Sequence, residues 1–271
     1  MGCNNFPGFN SYIVSETKTA FSVPMPVQVL PNKKSFKQRA FTLAETLITL
    51  SIIGVVAAMT VPTLMSNMNK QIYVTGLKKV YNQLQNAMKM IPITEGCSSG
   101  DYSCSGLEYW DTKNSVETWA KQFKVKQICL NSDNEYCKWV DTEFYMHKIG
   151  SRYGGFITED GMLIAIQQTG EVVSSAGTIS ATIGVDVNGA KGPNLLGRDV
   201  FVFGAYYRPY GNIHAGTIVP EGSKLSVDKF SNKSFYWKDD SLCTTENVKK
   251  QLEPAVHACA GRVLEENVMN Y

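Results

Sequence analysis

The chain has 271 residues, 44% of them hydrophobic and 18% charged, with a net charge of +2. That is enough for one sizeable core with attachments or for two small domains, and it excludes a chain disordered throughout. The near-neutral balance hides an asymmetry: residues 1–40 hold Lys18, Lys33, Lys34, Lys37 and Arg39 against Glu16 alone. The remainder is therefore slightly acidic and does not match the concentrated positive charge of a general nucleic-acid binder.

Residues 1–40 include Pro7, Pro24, Pro26 and Pro31 and read as an unstructured basic leader, with Met25 as a second candidate start that leaves MPVQVLPNKKSFKQRA. Between Thr46 and Asn69 no side chain is charged. A helix of that length spans on the order of 36 Å, more than the hydrocarbon thickness of a bilayer. Lys33, Lys34, Lys37 and Arg39 precede it closely, so the positive-inside rule places residues 1–40 in the cytoplasm and the bulk of the chain outside. The run is apolar on all faces, unlike a core helix. A secretory signal cut after Val56-Ala57-Ala58, giving a Met59 start, also fits its length. Glu45 is what that reading leaves out. A carboxylate at the centre of a membrane costs about 2.5 to 3.5 kcal/mol, so one at its edge calls for a partner, unless it merely caps the helix or snorkels to the interface.

The stretch Phe41-Thr42-Leu43-Ala44-Glu45 behind Lys37-Gln38-Arg39-Ala40 resembles the N-terminal region of type IV pilins and type II secretion pseudopilins. Counting from Phe41, the residues Gly54, Ala57, Ala58 and Pro62 fall where that family's helix has Gly, Ala, Ala and Pro. The likeness covers about 25 residues. It departs at Ala40, where the family usually has glycine. The resemblance implies cleavage by a prepilin peptidase between Ala40 and Phe41, N-methylation of the new Phe41 amine, and pairing of Glu45 with the amine of a neighbouring subunit. Two charges leaving water together lose less than each alone, so such a pair would set the axial stagger of subunits. It further implies partners: other pilin or pseudopilin subunits, an inner-membrane assembly platform and the lipid bilayer. The location implied is that of a single-pass protein of the bacterial cytoplasmic membrane, with its globular part periplasmic or extracellular and assembled in a filament.

Beyond Pro62, the residues Ile72, Gly76, Leu77, Val80, Leu84, Met88 and Ile91 recur at steps of three to four and predict an amphipathic continuation stopped at Pro92. The whole helix is then roughly 45 to 50 residues long. Pro62 removes a backbone donor and can kink it, which neighbouring subunits would accommodate. The organisation expected is a leader (1–40), a transmembrane and assembly helix (41–65), its amphipathic continuation (66–92) and a globular domain (93–271). Within that domain, 114–123 reads as a helix and 125–130 as extended. GGFITEDGMLIAIQQ reads as a hairpin with a two-residue Asp160-Gly161 turn, and ATIGVDVNG and GRDVFVFGAYY as two further strands. These predict an antiparallel sheet of about four strands with the amphipathic helix on one face, an α+β fold of the pilin-like kind. Val248, Leu252, Val256, Cys259 and Val263 have helical spacing, with Pro254 interrupting or starting a second helix.

Cys3 precedes the apolar run, whereas Cys97, Cys104, Cys129, Cys137, Cys243 and Cys259 follow it without a CxxC pair. An even set without zinc spacing points to disulfides in an oxidising compartment. Short separations make 97 with 104 and 129 with 137 the natural pairs, leaving 243 with 259. The loop DVNGAKGPNLLGRD offers Asp186, Asn188, Asn194 and Asp199. Oxygen ligands spaced by glycines can wrap calcium, and some pseudopilins hold calcium in such a loop; the same residues are ordinary turn formers, and both readings stand. No cofactor is otherwise required. His147, His214 and His257 are scattered, no catalytic motif is present, and FGAYYRPYGN can either pack at a strand edge or bind sugar or peptide through its rings and Arg208. The function expected is a structural filament subunit, not an enzyme. The rivals are a minor tip subunit or adhesin and a membrane-anchored or secreted enzyme.

Overall fold

The computed structural model describes residues 41–98, 100–102, 112–130, 137, 153–167, 173–174, 177–178, 180–226, 235–238, 241–252 and 255–271. The chain divides into two units, Met1–Ile52 and Ile53–Tyr271. Helix α1 runs from Leu43 to Thr94 and contains Pro62 and Pro92 without a break. It is the one helix among the described residues long and apolar enough to cross a membrane, and none of its apolar window is buried.

The second half of α1 is amphipathic, as its spacing predicts. Tyr73, Val74, Leu77, Val80, Leu84, Ala87, Met88 and Ile91 are buried at steps of one, three and four, while Thr75, Lys79, Asn82, Asn86 and Lys89 face out. The predicted stop at Pro92 is two residues early. Gly96, at φ 73, ends the helix: Cys97 N–H donates to Pro92 O at 2.7 Å and Gly96 N–H to Ile93 O at 3.3 Å. That pair of bonds is a Schellman cap, and only a residue without a Cβ adopts its left-handed backbone without strain.

Helix α2 covers Thr112–Ala120, and strand β1, Val125–Cys129, follows it. Strands β2 (Tyr153–Thr158) and β3 (Leu163–Gln167) form the expected hairpin. Its turn differs from the two-residue form. Thr158 N–H donates to Met162 O and Gly161 N–H to Thr158 O, both at 2.9 Å, with Gly161 at φ 88. Three residues thus form a turn closed by a left-handed glycine. Asp160 is not left-handed; its carboxylate accepts from Lys79 of α1 and from the Thr158 hydroxyl at 2.5 Å. Burial alone would raise this carboxyl, yet those two donors outweigh it and hold it below its usual range.

Short strands β4 (Val173–Ser174) and β5 (Gly177–Thr178) pair with each other. Strands β6 (Ser180–Asp186), β7 (Val200–Tyr206) and β8 (Thr217–Pro220) complete the main sheet. Its order is β1-β2-β3-β6-β7-β8 and every neighbouring pair is antiparallel. The sheet therefore has six strands rather than about four. The register aligns Phe156, Ile164, Val185 and Phe201 in one row and Ile166, Ile183 and Phe203 in the next, all buried. Residues directly opposite share a face. The Tyr81 ring of α1 stacks on Phe203 at 6.0 Å and Phe123, just after α2, meets Phe156 at 5.1 Å, so both helices cover that face. Gln85 Nε2 of α1 donates to Ile218 O at 3.1 Å, which occupies an acceptor on the short strand β8.

The C-terminal helical pattern is interrupted, as expected near Pro254. Helix α3 (Thr245–Lys250) is capped by Thr244, a 3-10 turn covers Ala255–Ala258, and helix α4 covers Cys259–Glu266. Disulfides join Cys129 to Cys137 and Cys243 to Cys259, as their separations suggest. Cys97 is disulfide-bonded, whereas Cys104 lies outside the described residues. On α4, Glu265 accepts from Tyr236 OH and Trp237 Nε1 at 3.0 Å and from Lys238 Nζ at 2.7 Å. Arg262 Cζ lies 5.0 Å from the Trp237 ring centroid and 5.0 Å from that of Tyr271.

Candidate functional site

The start of α1 is built from four residues. Thr42 is the last non-helical position before Leu43. Glu45 Oε2 accepts from Thr42 N–H at 2.9 Å and from the Thr42 hydroxyl at 3.0 Å, while Glu45 N–H donates to Thr42 Oγ1 at 3.2 Å. This reciprocal arrangement is a capping box, in which the side chains of the cap and of the third helical residue each satisfy the other's orphan backbone donor. The capping role weighed for Glu45 is therefore present. It uses one oxygen only: among the described residues no donor meets Oε1. Thr42 is the residue that sequence reasoning passed over, although a Thr three positions before a Glu at the head of an apolar run is its signal.

The surroundings of this carboxylate are apolar and open. Phe41 is 83% exposed, and Leu43, Leu47, Ile48, Leu50, Ile52 and Ile53 are all exposed as well. Thr46, Thr49 and Ser51 return their hydroxyls to the carbonyls of Leu43, Thr46 and Leu47, so these groups are satisfied within the helix, as lipid requires. Pro62 sits inside the continuous helix and has no N–H to offer the Ala58 carbonyl. Ala40 lies outside the described residues.

The second candidate is the loop between β6 and β7. Asp199, fully buried, accepts Asn194 N–H at 2.9 Å and Leu195 N–H at 2.8 Å, one on each oxygen. Asp186 Oδ1 accepts Asn188 N–H at 3.1 Å. The carboxylates thus tie the loop to itself, which is the turn-forming role weighed for them. Gly76 lets α1 approach this loop: a Cβ there would lie 3.1 Å from Val187 Cβ. Tyr73 of α1 is raised above its ordinary pKa by burial first and then by Asp199, with Arg198 opposing and Asp186 adding. Two acceptors remain without a hydrogen-bond partner among the described residues, the buried Asn188 Oδ1 and Asn194 Oδ1. Among the described residues no three of His, Cys, Asp and Glu converge, so any cation here would depend on such amide and carbonyl oxygens.

The remaining candidates do not assemble. His147 lies outside the described residues, His214 is exposed, and His257 Nδ1 sits 3.3 Å from a Glu221 carboxylate oxygen. In the aromatic stretch, Phe203, Tyr206 and Tyr207 are buried and only Tyr210 is half-buried, which makes it a packing element. Burial, and then the charge of Glu221, pushes the Tyr206 hydroxyl up to about 12.

Residues 35–61 match the family model of the prokaryotic N-terminal methylation motif. That motif is the signature of type IV pilins and pseudopilins alike. The matched span takes in Ala40 and Phe41, the capping box and the apolar run almost to Pro62, and leaves the rest of the chain unmatched. No curated protein and no solved structure matches the chain. The pilin motif thus accounts for the N-terminal segment, and with one long apolar helix it describes a membrane-anchored, pilin-like precursor.

Proposed function

We propose that this chain is the precursor of a structural subunit of a type II secretion pseudopilus or type IV pilus-like filament. Prepilin peptidase cuts between Ala40 and Phe41 and methylates the new amine. The subunit is held in the cytoplasmic membrane by the first half of α1, with its N-terminus inside and its globular domain outside. It then joins other subunits through that helix on an inner-membrane assembly platform. Glu45 meets the methylated amine of a neighbouring copy and sets the axial register. The observation that carries this reading is the methylation motif at 35–61, which overlaps the first half of α1, where the apolar side chains are exposed among the described residues. Pro62 gives the helix a point that neighbouring copies accommodate.

The intact mass and N-terminal sequence of the protein from membranes test it directly. The expected mature chain begins with N-methyl-Phe41 when the peptidase is present and keeps its leader when it is absent. A Met59 start would replace this reading with a secretory signal.

For the loop at 186–199 we propose calcium, held by Asp186, Asn188, Asn194 and Asp199 together with loop carbonyls. Two buried amide oxygens that meet no donor among the described residues, beside two buried carboxylates, support it. The ion would supply charge compensation and rigidity rather than chemistry.

A further inference from the structure

We propose that Thr42 is a positioning residue for assembly: its hydroxyl holds one oxygen of Glu45 and thereby aims the other at the amine of an incoming subunit. This rests on the register role given to Glu45 above. The capping box holds the carboxylate through two hydrogen bonds, both from Thr42 to Oε2, and a third runs from the Glu45 N–H to the Thr42 hydroxyl. A glutamate side chain free to turn about its torsions loses conformational entropy when it meets a partner, whereas one already held loses less. The Thr42 N–H reaches Oε2 whatever side chain residue 42 carries, so the hydroxyl is the part a substitution removes. It acts in both directions, donating to Oε2 and accepting from the Glu45 N–H. No other described side chain donates a hydrogen bond to the carboxylate.

A helix cap alone and a positioned carboxylate make different demands on residue 42. Glycine is nearly as good an N-cap as threonine but has no hydroxyl, while serine keeps both functions. The test uses the full-length protein in cells with its peptidase and partner subunits. It measures the fraction of mature, methylated subunit recovered in sheared filaments rather than in membranes. Thr42→Val and Thr42→Gly are both expected to lower that fraction on the order of fivefold, the factor that corresponds to one lost hydrogen bond of ordinary net strength. Thr42→Ser is expected to restore it, with the same mature N-terminus in all three. Wild-type assembly by Thr42→Gly would overturn the proposal by reducing Thr42 to a helix cap, and loss of cleavage in Thr42→Val would overturn it by moving the requirement to the peptidase. Glu45→Gln separates the two layers. If Glu45→Gln assembles normally, the register reading itself fails; if it does not assemble while Thr42→Val does, only the role of Thr42 fails.

Discussion

Glu265 accepts four contacts from three consecutive residues, Tyr236, Trp237 and Lys238, and so fastens their segment to α4. The Lys238 ammonium, followed by the Trp237 N–H, holds its carboxyl at about 2, below the ordinary 4.5. A carboxyl lowered in the folded state stabilises above its unfolded pKa and stops doing so as pH falls towards the folded one. The contribution of Glu265 is therefore complete above about pH 4.5 and lost by about pH 2. The side chains of this cluster are 34% and 50% exposed, so solvent screening limits the effect to about 1 kcal/mol. Glu265→Gln should lower unfolding free energy by that amount at pH 7 and by nothing near pH 2, in denaturant titrations across the acid range. An equal deficit at both ends would mean that packing against Trp237, and not charge, is what Glu265 provides.

Among the elements, legibility followed length and periodicity. Helix α1 was readable because its buried positions repeat over many turns, and β6 and β7 because their apolar runs are bounded by turn residues. Strand β8 was missed because Thr217–Pro220 is four residues long and ends in a proline, a pattern indistinguishable from loop until β7 pairs with it. Strand β1 was visible as extended chain, but its place at the sheet edge depends on pairing with β2, which is not a local property. The site followed the same division. Glu45 and the loop carboxylates stood out by residue type, whereas the contacts of Asp199 with Asn194 and Leu195 depend on backbone geometry that spacing alone does not encode. At this scale the calcium proposal becomes measurable. An ion bound only by the folded loop stabilises in proportion to the logarithm of its concentration over its Kd, about 2.7 kcal/mol at a hundredfold excess. Calcium should raise the Tm of the purified protein, chelator should lower it, and Asn188→Ala should abolish the response. A Tm indifferent to both would leave the loop closed by its own hydrogen bonds.

For the molecule as a whole, the apolar first half of α1 and the disulfides are two demands on the same chain. Thiols pair stably in oxidising compartments and rarely in the cytosol, whereas the positive-inside rule assigns basic residues ahead of an apolar span to the cytoplasm. The membrane crossing proposed above would satisfy both. Cys243 and Cys259 are fully buried, and their bridge ties Cys243, two residues before α3, to the first residue of α4 across 16 positions of sequence. Closing a loop of that size removes on the order of 3 kcal/mol of unfolded-state entropy. The double variant Cys243→Ser with Cys259→Ser should lose about that much stability in denaturant titrations. Orientation is tested by denaturing membrane-bound protein without reductant in the presence of a polymer-linked maleimide. Cys129, Cys137, Cys243 and Cys259 should then take no label until a reductant is added. Labelling of these four before reduction would put the globular part on the reducing side, and an outward-facing filament subunit could not be built from it.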